Sequence, residues 1–270
     1  MLPTLGFGTL IRTLSAKQER LLKMNKPLVS LVLFIILGAI GCSTTEKKNT
    51  ETAESLYQRA ETLAKDGRIE EAIAKFQEVK NKFPYSKLAT EAELAAADVS
   101  YQDESFAEAQ ASYQLFRDLH PKHAKTPFVI YRLGMSIYKQ IPESIDRDLS
   151  LAQSGIDTFE ELINQFPDSE HVAEAKEKRL DCLRKLAEKE LYIANFYLKK
   201  KRWESALGRI QGVVKDHKGL GFDERALALA AFAAEQADDK VLANKYGAQL
   251  QRDFPGSKEP AEVKRIYLSR

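Results

Sequence analysis

Few side chains in this 270-residue sequence stand at spacings that could make or break bonds. His120 and His123 (HPKH) could in principle share a metal. However, no cysteine or carboxylate accompanies them at ligand spacing, and the intervening proline places them in a loop, so surface histidines are the favoured reading. Gly219-Leu220-Gly221 follows no strand and leads to no lysine, which excludes a phosphate-binding loop. Cys182 lies beside Leu180 and Leu183 on an apolar helix face and has no identifiable histidine to make it a nucleophile. The alternating charges from Glu174 to Arg179 read as an ordinary solvated helix face. The expectation is a non-enzyme, with no catalytic residue, metal or cofactor.

One residue does invite covalent chemistry. Cys42 ends an apolar run, Leu28 to Gly41, that follows the short cationic start Met24-Asn25-Lys26-Pro27. That run has 14 residues, whereas about 20 are needed to cross a bilayer as a helix. The anatomy is that of a signal peptide. Ala39-Ile40-Gly41-Cys42 resembles the lipobox of bacterial lipoproteins, in which the cysteine receives a diacylglyceryl group and becomes the mature N-terminus. Ala39 and Ile40 depart from the usual residues of that motif, and a plain cleaved signal or an uncleaved anchor is the alternative. The expectation is therefore a signal over 1–41, with translation starting at Met24 rather than Met1, and lipidation of Cys42. Ser43 is not the Asp that often retains such proteins in the inner membrane, which favours the outer one. The polar stretch Thr44 to Thr52 reads as part of a flexible tether over 42–52.

Composition bounds the rest. The chain is 44% apolar and 30% charged with a net charge of +2. Residues 1–41 hold five basic residues against one acid, so the remainder is close to neutral. That argues against nucleic acid as a partner.

The elements that would position any binding residue come from a repeat. Phe83-Pro84-Tyr85-Ser86, Phe166-Pro167-Asp168-Ser169 and Phe254-Pro255-Gly256-Ser257 are three copies of F-P-x-S, and His120-Pro121 is a fainter fourth. Twelve residues before these prolines stand Ala72, Ala109, Gly155 and Ala243; eight before stand Phe76, Tyr113 and Phe159, with Gly247 in the last copy. The same offsets find Ala206, Ile210 and Lys218 in a copy without proline. This is similar to the second helix of the tetratricopeptide (TPR) pattern. Small residues let antiparallel helices approach, the ring fills the gap to the next repeat, and proline ends the helix. The predicted fold is all-α, an α-solenoid of five TPR-like hairpins over 53–257 (about 53–86, 90–123, 126–169, 170–219 and 222–257). Two irregularities stand out: about nine extra residues around 140–149, and an unbroken helix from Glu170 to Lys200. The tail, 258–270, is left open between helix and disorder.

The order of these features resembles the BamD family of outer-membrane assembly lipoproteins. The resemblance rests on Tyr131-Arg132-Leu133-Gly134, Asp146-Arg147-Asp148, Asn164 to Ser169, Ala187 to Tyr197 and Trp203 through Arg209. It covers roughly 42–257. Leu149 replaces a usual proline, and the insertion is shorter than in well-known members. The resemblance implies a lipid-held scaffold on the periplasmic face of the outer membrane. Its implied partners are a POTRA domain of a BamA-like barrel, other Bam lipoproteins and the C-terminal signals of unfolded barrel substrates. By position, Arg209 stands where the family has an arginine pairing with that POTRA domain, with Trp203 six residues before it. Tyr57, Tyr101 and Tyr113 are the candidate aromatic contacts for a substrate peptide; for Tyr113, at a core ring position, packing is the favoured reading. The alternative is another periplasmic TPR lipoprotein, a pilotin for a secretin or a coordinator of cell-wall synthesis.

Overall fold

The computed structural model describes residues 51–268, and these carry eleven α-helices and no strand. The expected signal, the Cys42 lipidation site and most of the tether lie outside the described residues. Five helical hairpins follow one another: α1 (Ala53–Lys65) with α2 (Ile69–Lys82), α3 (Lys87–Gln102) with α4 (Phe106–Leu119), α5 (Thr126–Lys139) with α6 (Ser150–Gln165), α7 (Val172–Lys199) with α8 (Trp203–Asp216), and α9 (Asp223–Gln236) with α10 (Lys240–Asp253). A further helix, α11 (Glu259–Leu268), packs on α9.

The repeated residues behave as their spacing requires. Ala72, Ala109, Ala206, Phe76, Tyr113, Phe159 and Ile210 are almost completely buried. The F-P-x-S copies are turns as well as stops. In each, the serine N–H donates to the phenylalanine carbonyl, at 2.9 Å for Ser86, 3.0 Å for Ser169 and 3.1 Å for Ser257. The serine hydroxyl then accepts an N–H at the start of the next segment, from Leu88 (3.2 Å), His171 (3.3 Å) and Glu259 (3.3 Å). Proline thus ends one helix, and the serine turns the chain into the next: Ser86 is the N-cap of α3, while Ser169 and Ser257 bond an amide just at or before the first turn of α7 and α11. In the last copy Gly256 takes φ +85° behind Pro255, the geometry of a type II turn. α8 stops at His217 with a backbone φ of −122°, close to the −126° to −135° of the residues preceding proline, although Lys218 occupies the proline position.

The insertion is a structured strap rather than a free loop. Its ends, Ile141 and Leu149, are buried with Ala152, Ile156 and Cys182. Its backbone is held from α7: Lys185 Nζ donates to the Pro142 carbonyl at 3.2 Å, and Lys189 Nζ donates to the Arg147 carbonyl. Leu149 is therefore an apolar anchor. Two tyrosines of α5 extend the same seam, Tyr131 Oη donating to Glu174 at 2.7 Å and Tyr138 Oη to Asp181 at 3.3 Å. One face of the long helix is thus fixed to the third hairpin along several turns.

The segment left open by sequence, 258–268, is mostly helix. Val263 of α11 is buried, Tyr267 stacks on Phe232 at 5.8 Å between centroids, and Tyr267 Oη donates to Asn195 of α7 at 2.5 Å. Apolar burial on α9 and this one buried polar contact supply the reason for order. No helix of the described residues is long and apolar enough to cross a membrane.

Candidate functional site

The residues with chemical potential resolve into structural roles. His120 Nε2 lies 2.7 Å from Glu93 Oε2, and Lys80 Nζ lies 2.8 Å from the other oxygen of that carboxylate. His120 is half-buried against the Phe116 ring, 4.7 Å between centroids, so it is a hairpin-junction residue rather than a solvated one. No His, Cys, Asp and Glu group among the described residues is arranged to hold a metal. The amide of Gly219 donates to its own neighbour's carboxylate, Asp223, at 3.0 Å, which occupies the donor that a phosphate would need. Cys182 is fully buried, and burial pushes its thiol up to about 11. At that value the thiolate is scarce at neutral pH.

Two polar and aromatic regions remain on the outside of this core. In the N-terminal half, Tyr57 of α1 is half-buried and meets Phe76 edge-on at 5.2 Å. Burial raises its hydroxyl above the ordinary tyrosine value, with Glu61, Glu91 and Asp98 adding to the effect. Tyr101 of α3 is half-buried against Phe106 at 5.4 Å, and the Arg132 guanidinium of α5 lies over its ring at 4.4 Å. Tyr113 does not belong with them. It is wholly buried on α4, and its hydroxyl donates to Asp98 Oδ1 at 2.5 Å, so it is a core ring and not a groove contact. The residues that sequence reasoning missed here are Arg132 and Phe128, which stand four apart on α5 and meet Tyr101 only when α3 packs against that helix; Tyr131-Arg132 had stood out only as part of a longer resemblance.

In the C-terminal half, Arg209 is exposed on α8 and its Nη1 lies 3.1 Å from Glu190 Oε2 of α7. Its partner is thus across the hairpin, 19 residues away, and not one turn along its own helix. Glu190, Glu204, Ser205, Gly208, Gly212 and His217 surround Arg209 in an open cleft of about 490 Å³. A Cβ added at Gly208 or Gly212 would meet nothing within 4 Å, so this wall of the cleft is bare backbone. Trp203 does not share the site. Six residues make about one and two-thirds helical turns, and the indole points the other way, edge-on to Phe232 at 5.9 Å.

Stacked hairpins that expose an arginine-lined cleft and a half-buried aromatic face define a TPR-like helical-repeat scaffold. Comparison with known proteins places it more closely: residues 49–250 match the family YfiO, outer membrane lipoprotein, and the chain belongs to that family. The outer membrane protein assembly factor BamD of Neisseria meningitidis serogroup B is 25% identical over 248 residues, covering 87% of this chain and 93% of its own. BamD of Xylella fastidiosa strain Temecula1 is 27% identical over 239 residues, covering 84% and 81%. Among solved structures, PilW, a type IV pilus biogenesis factor, aligns over 78% of this chain and 97% of its own, at 16% identity and a TM-score of 0.36.

Proposed function

We propose that this chain is a lipid-anchored scaffold on the periplasmic face of the outer membrane that promotes folding and insertion of β-barrel proteins. The observation that carries this reading is the match of the family across residues 49–250, which spans nearly the whole repeat array. Cys42 is the proposed lipidation site. The C-terminal half engages a POTRA domain of a BamA-like barrel, with Arg209 as the exposed contact; its planar fork suits a partner carboxylate. Trp203 supports that surface from within by holding α8 on α9. The N-terminal repeats engage the C-terminal signals of unfolded barrel substrates, with Tyr57 and Tyr101 as aromatic contacts.

Depletion of the protein should lower outer-membrane barrel levels, and an affinity-tagged copy should recover a POTRA-bearing barrel protein from solubilised membranes. Unchanged barrel levels together with recovery of no such partner would overturn the proposal. Replacement of Cys42 by Ala should release the protein from membranes washed with salt and stripped of its partners.

A further inference from the structure

Four consecutive cations, Lys199, Lys200, Lys201 and Arg202, make the turn between α7 and α8. All four are exposed, and none makes an ion pair or a side-chain hydrogen bond among the described residues. The negative end of the α7 dipole favours the lysines that finish that helix. It does not account for Arg202, which is the N-cap of α8 without a side-chain capping bond and so meets the positive end of a helix. Arg68, at the N-cap of α2, is neutralised there by Glu71; Arg202 has no such acid.

Apolar surface adjoins this charge. Tyr192 and Phe196 are 51% and 55% exposed. One helical turn apart, they share a stripe with Lys200, whose Nζ lies 5.9 Å from the Phe196 ring centroid. Beside the turn, Leu198, Lys199, Lys201, Ile266 and Tyr267 line a cavity of about 280 Å³. Leu198 is buried while the two lysines are exposed, so the cavity is apolar within and cationic at its mouth.

Unpaired cations beside exposed rings match the chemistry of an anionic bilayer surface, where phosphates meet the cations and aromatic side chains lie at headgroup depth. The chain belongs to a family of outer membrane lipoproteins, so phospholipid is an anionic surface that it meets. We propose that the α7–α8 turn, with Tyr192 and Phe196, docks on anionic phospholipid. The lysine and arginine side chains hold lipid phosphates, and the two rings enter the headgroup layer. The contact gives the C-terminal half a hold on the bilayer separate from the proposed anchor at Cys42. It rests on the membrane placement in the proposed function, and not on its POTRA or peptide contacts.

Trp203, the single tryptophan of the chain, follows Arg202 and reports on the turn. The full-length protein, isolated from membranes, is reconstituted with vesicles of phosphatidylcholine alone or of an equal mixture with phosphatidylglycerol, both carrying brominated acyl chains that quench tryptophan at close range. Quenching should be at least about twofold stronger with the anionic vesicles, and the difference should shrink as salt is raised. The triple variant Lys199→Gln, Lys200→Gln, Lys201→Gly should lose that difference. Glycine suits the φ of +56° at Lys201, as Gly67 does at +74° in the first hairpin, so the variant should fold. Phe196→Trp places a second reporter on the stripe itself. Equal quenching of both reporters in the two kinds of vesicle, or a triple variant that keeps the full difference, overturns the assignment. Flotation with the neutral vesicles reads the lipid anchor separately, so loss of the anchor and loss of the turn contact are told apart.

Discussion

The ring of Phe159 occupies the space that a side chain at Gly134 would need. A Cβ built on Gly134 would come within 2.6 Å of Phe159 Cε1 and 2.8 Å of Cδ1, and Phe159 is wholly buried on the facing helix. The glycine of α5 is thus required by the ring of α6 and by close approach of the two helices, not by backbone conformation. These are the two positions that the TPR spacing pairs, here held together despite the insertion between them.

Gly134→Ala should therefore destabilise the protein by about 1–3 kcal/mol, because the ring is closed in and cannot retreat without strain. Phe159→Leu alone should also destabilise, by leaving a void. In the double variant the smaller side chain makes room for the new methyl, so the two losses should be clearly less than additive. Urea denaturation of the four proteins measures the coupling; strict additivity would show that the contact is relieved elsewhere.

Asp98 sets a pH dependence of known sign. Burial holds its carboxyl above the ordinary value of 3.8, while the hydrogen bond from Tyr113 and the charges of Arg132 and Lys125 oppose the rise. The folded state then keeps this proton at pH values where the unfolded chain has lost it. The group's contribution is full below the ordinary value and falls as pH rises through the raised one. Asp98→Asn can still accept from Tyr113 and has no charge to bury. Its stability relative to wild type should improve as pH rises from about 3.5 upward, the ordinary carboxylate range, and level off above the raised value. A constant difference between the two proteins across pH would contradict this assignment.

The α11 helix should behave as the cap of the last repeat. Tyr267→Ala removes a ring stacked on Phe232 and the bond to Asn195. A half-buried aromatic contact of this kind should be worth about 1–3 kcal/mol locally. Because helical repeats couple mainly to their neighbours, the loss should stay near the C-terminal end. Amide hydrogen exchange should quicken in α9 and α10 and remain unchanged in α1 to α4. Uniform acceleration along the chain would mean that the array unfolds as one unit.

The period of the fold was plain in the sequence because it is written in residues with one job each: small at Ala72, aromatic at Phe76, breaking at Pro84. The relations that sequence reading missed run between helices. Nothing in the sequence around Arg209 names Glu190, which stands 19 residues earlier on the facing helix. The serine of F-P-x-S was visible as a repeated letter, but its bond to the amide at the start of the next helix depends on the turn that brings its hydroxyl back. α11 escaped because its burial falls on Val263 and Tyr267, too few positions to print a periodic signal. Tyr113 shows the opposite difficulty: an aromatic on a binding scaffold invites a functional role, while its spacing already made it a core residue. Arg132 was legible only as one basic residue among many, since the Tyr101 ring that lies against its guanidinium comes from another helix.

Arg209 separates stability from partner binding. Its pair with Glu190 spans 3.1 Å but is exposed, and such pairs contribute about 0–1 kcal/mol. Arg209→Ala should therefore melt within a few degrees of wild type. If Arg209 contacts a carboxylate of a POTRA domain, the same variant should recover far less of the barrel protein in an affinity pulldown. Glu190→Gln supplies the contrast. It frees the guanidinium from its intramolecular partner while keeping the side-chain shape, so recovery should hold or rise. Salt adds a further check, because an exposed ion pair at the interface weakens as ionic strength increases. A variant Arg209→Ala that folds normally and recovers the barrel protein as well as wild type, at both low and high salt, would remove Arg209 from the interface and leave the cleft beside Gly208 and Gly212 without its proposed contact.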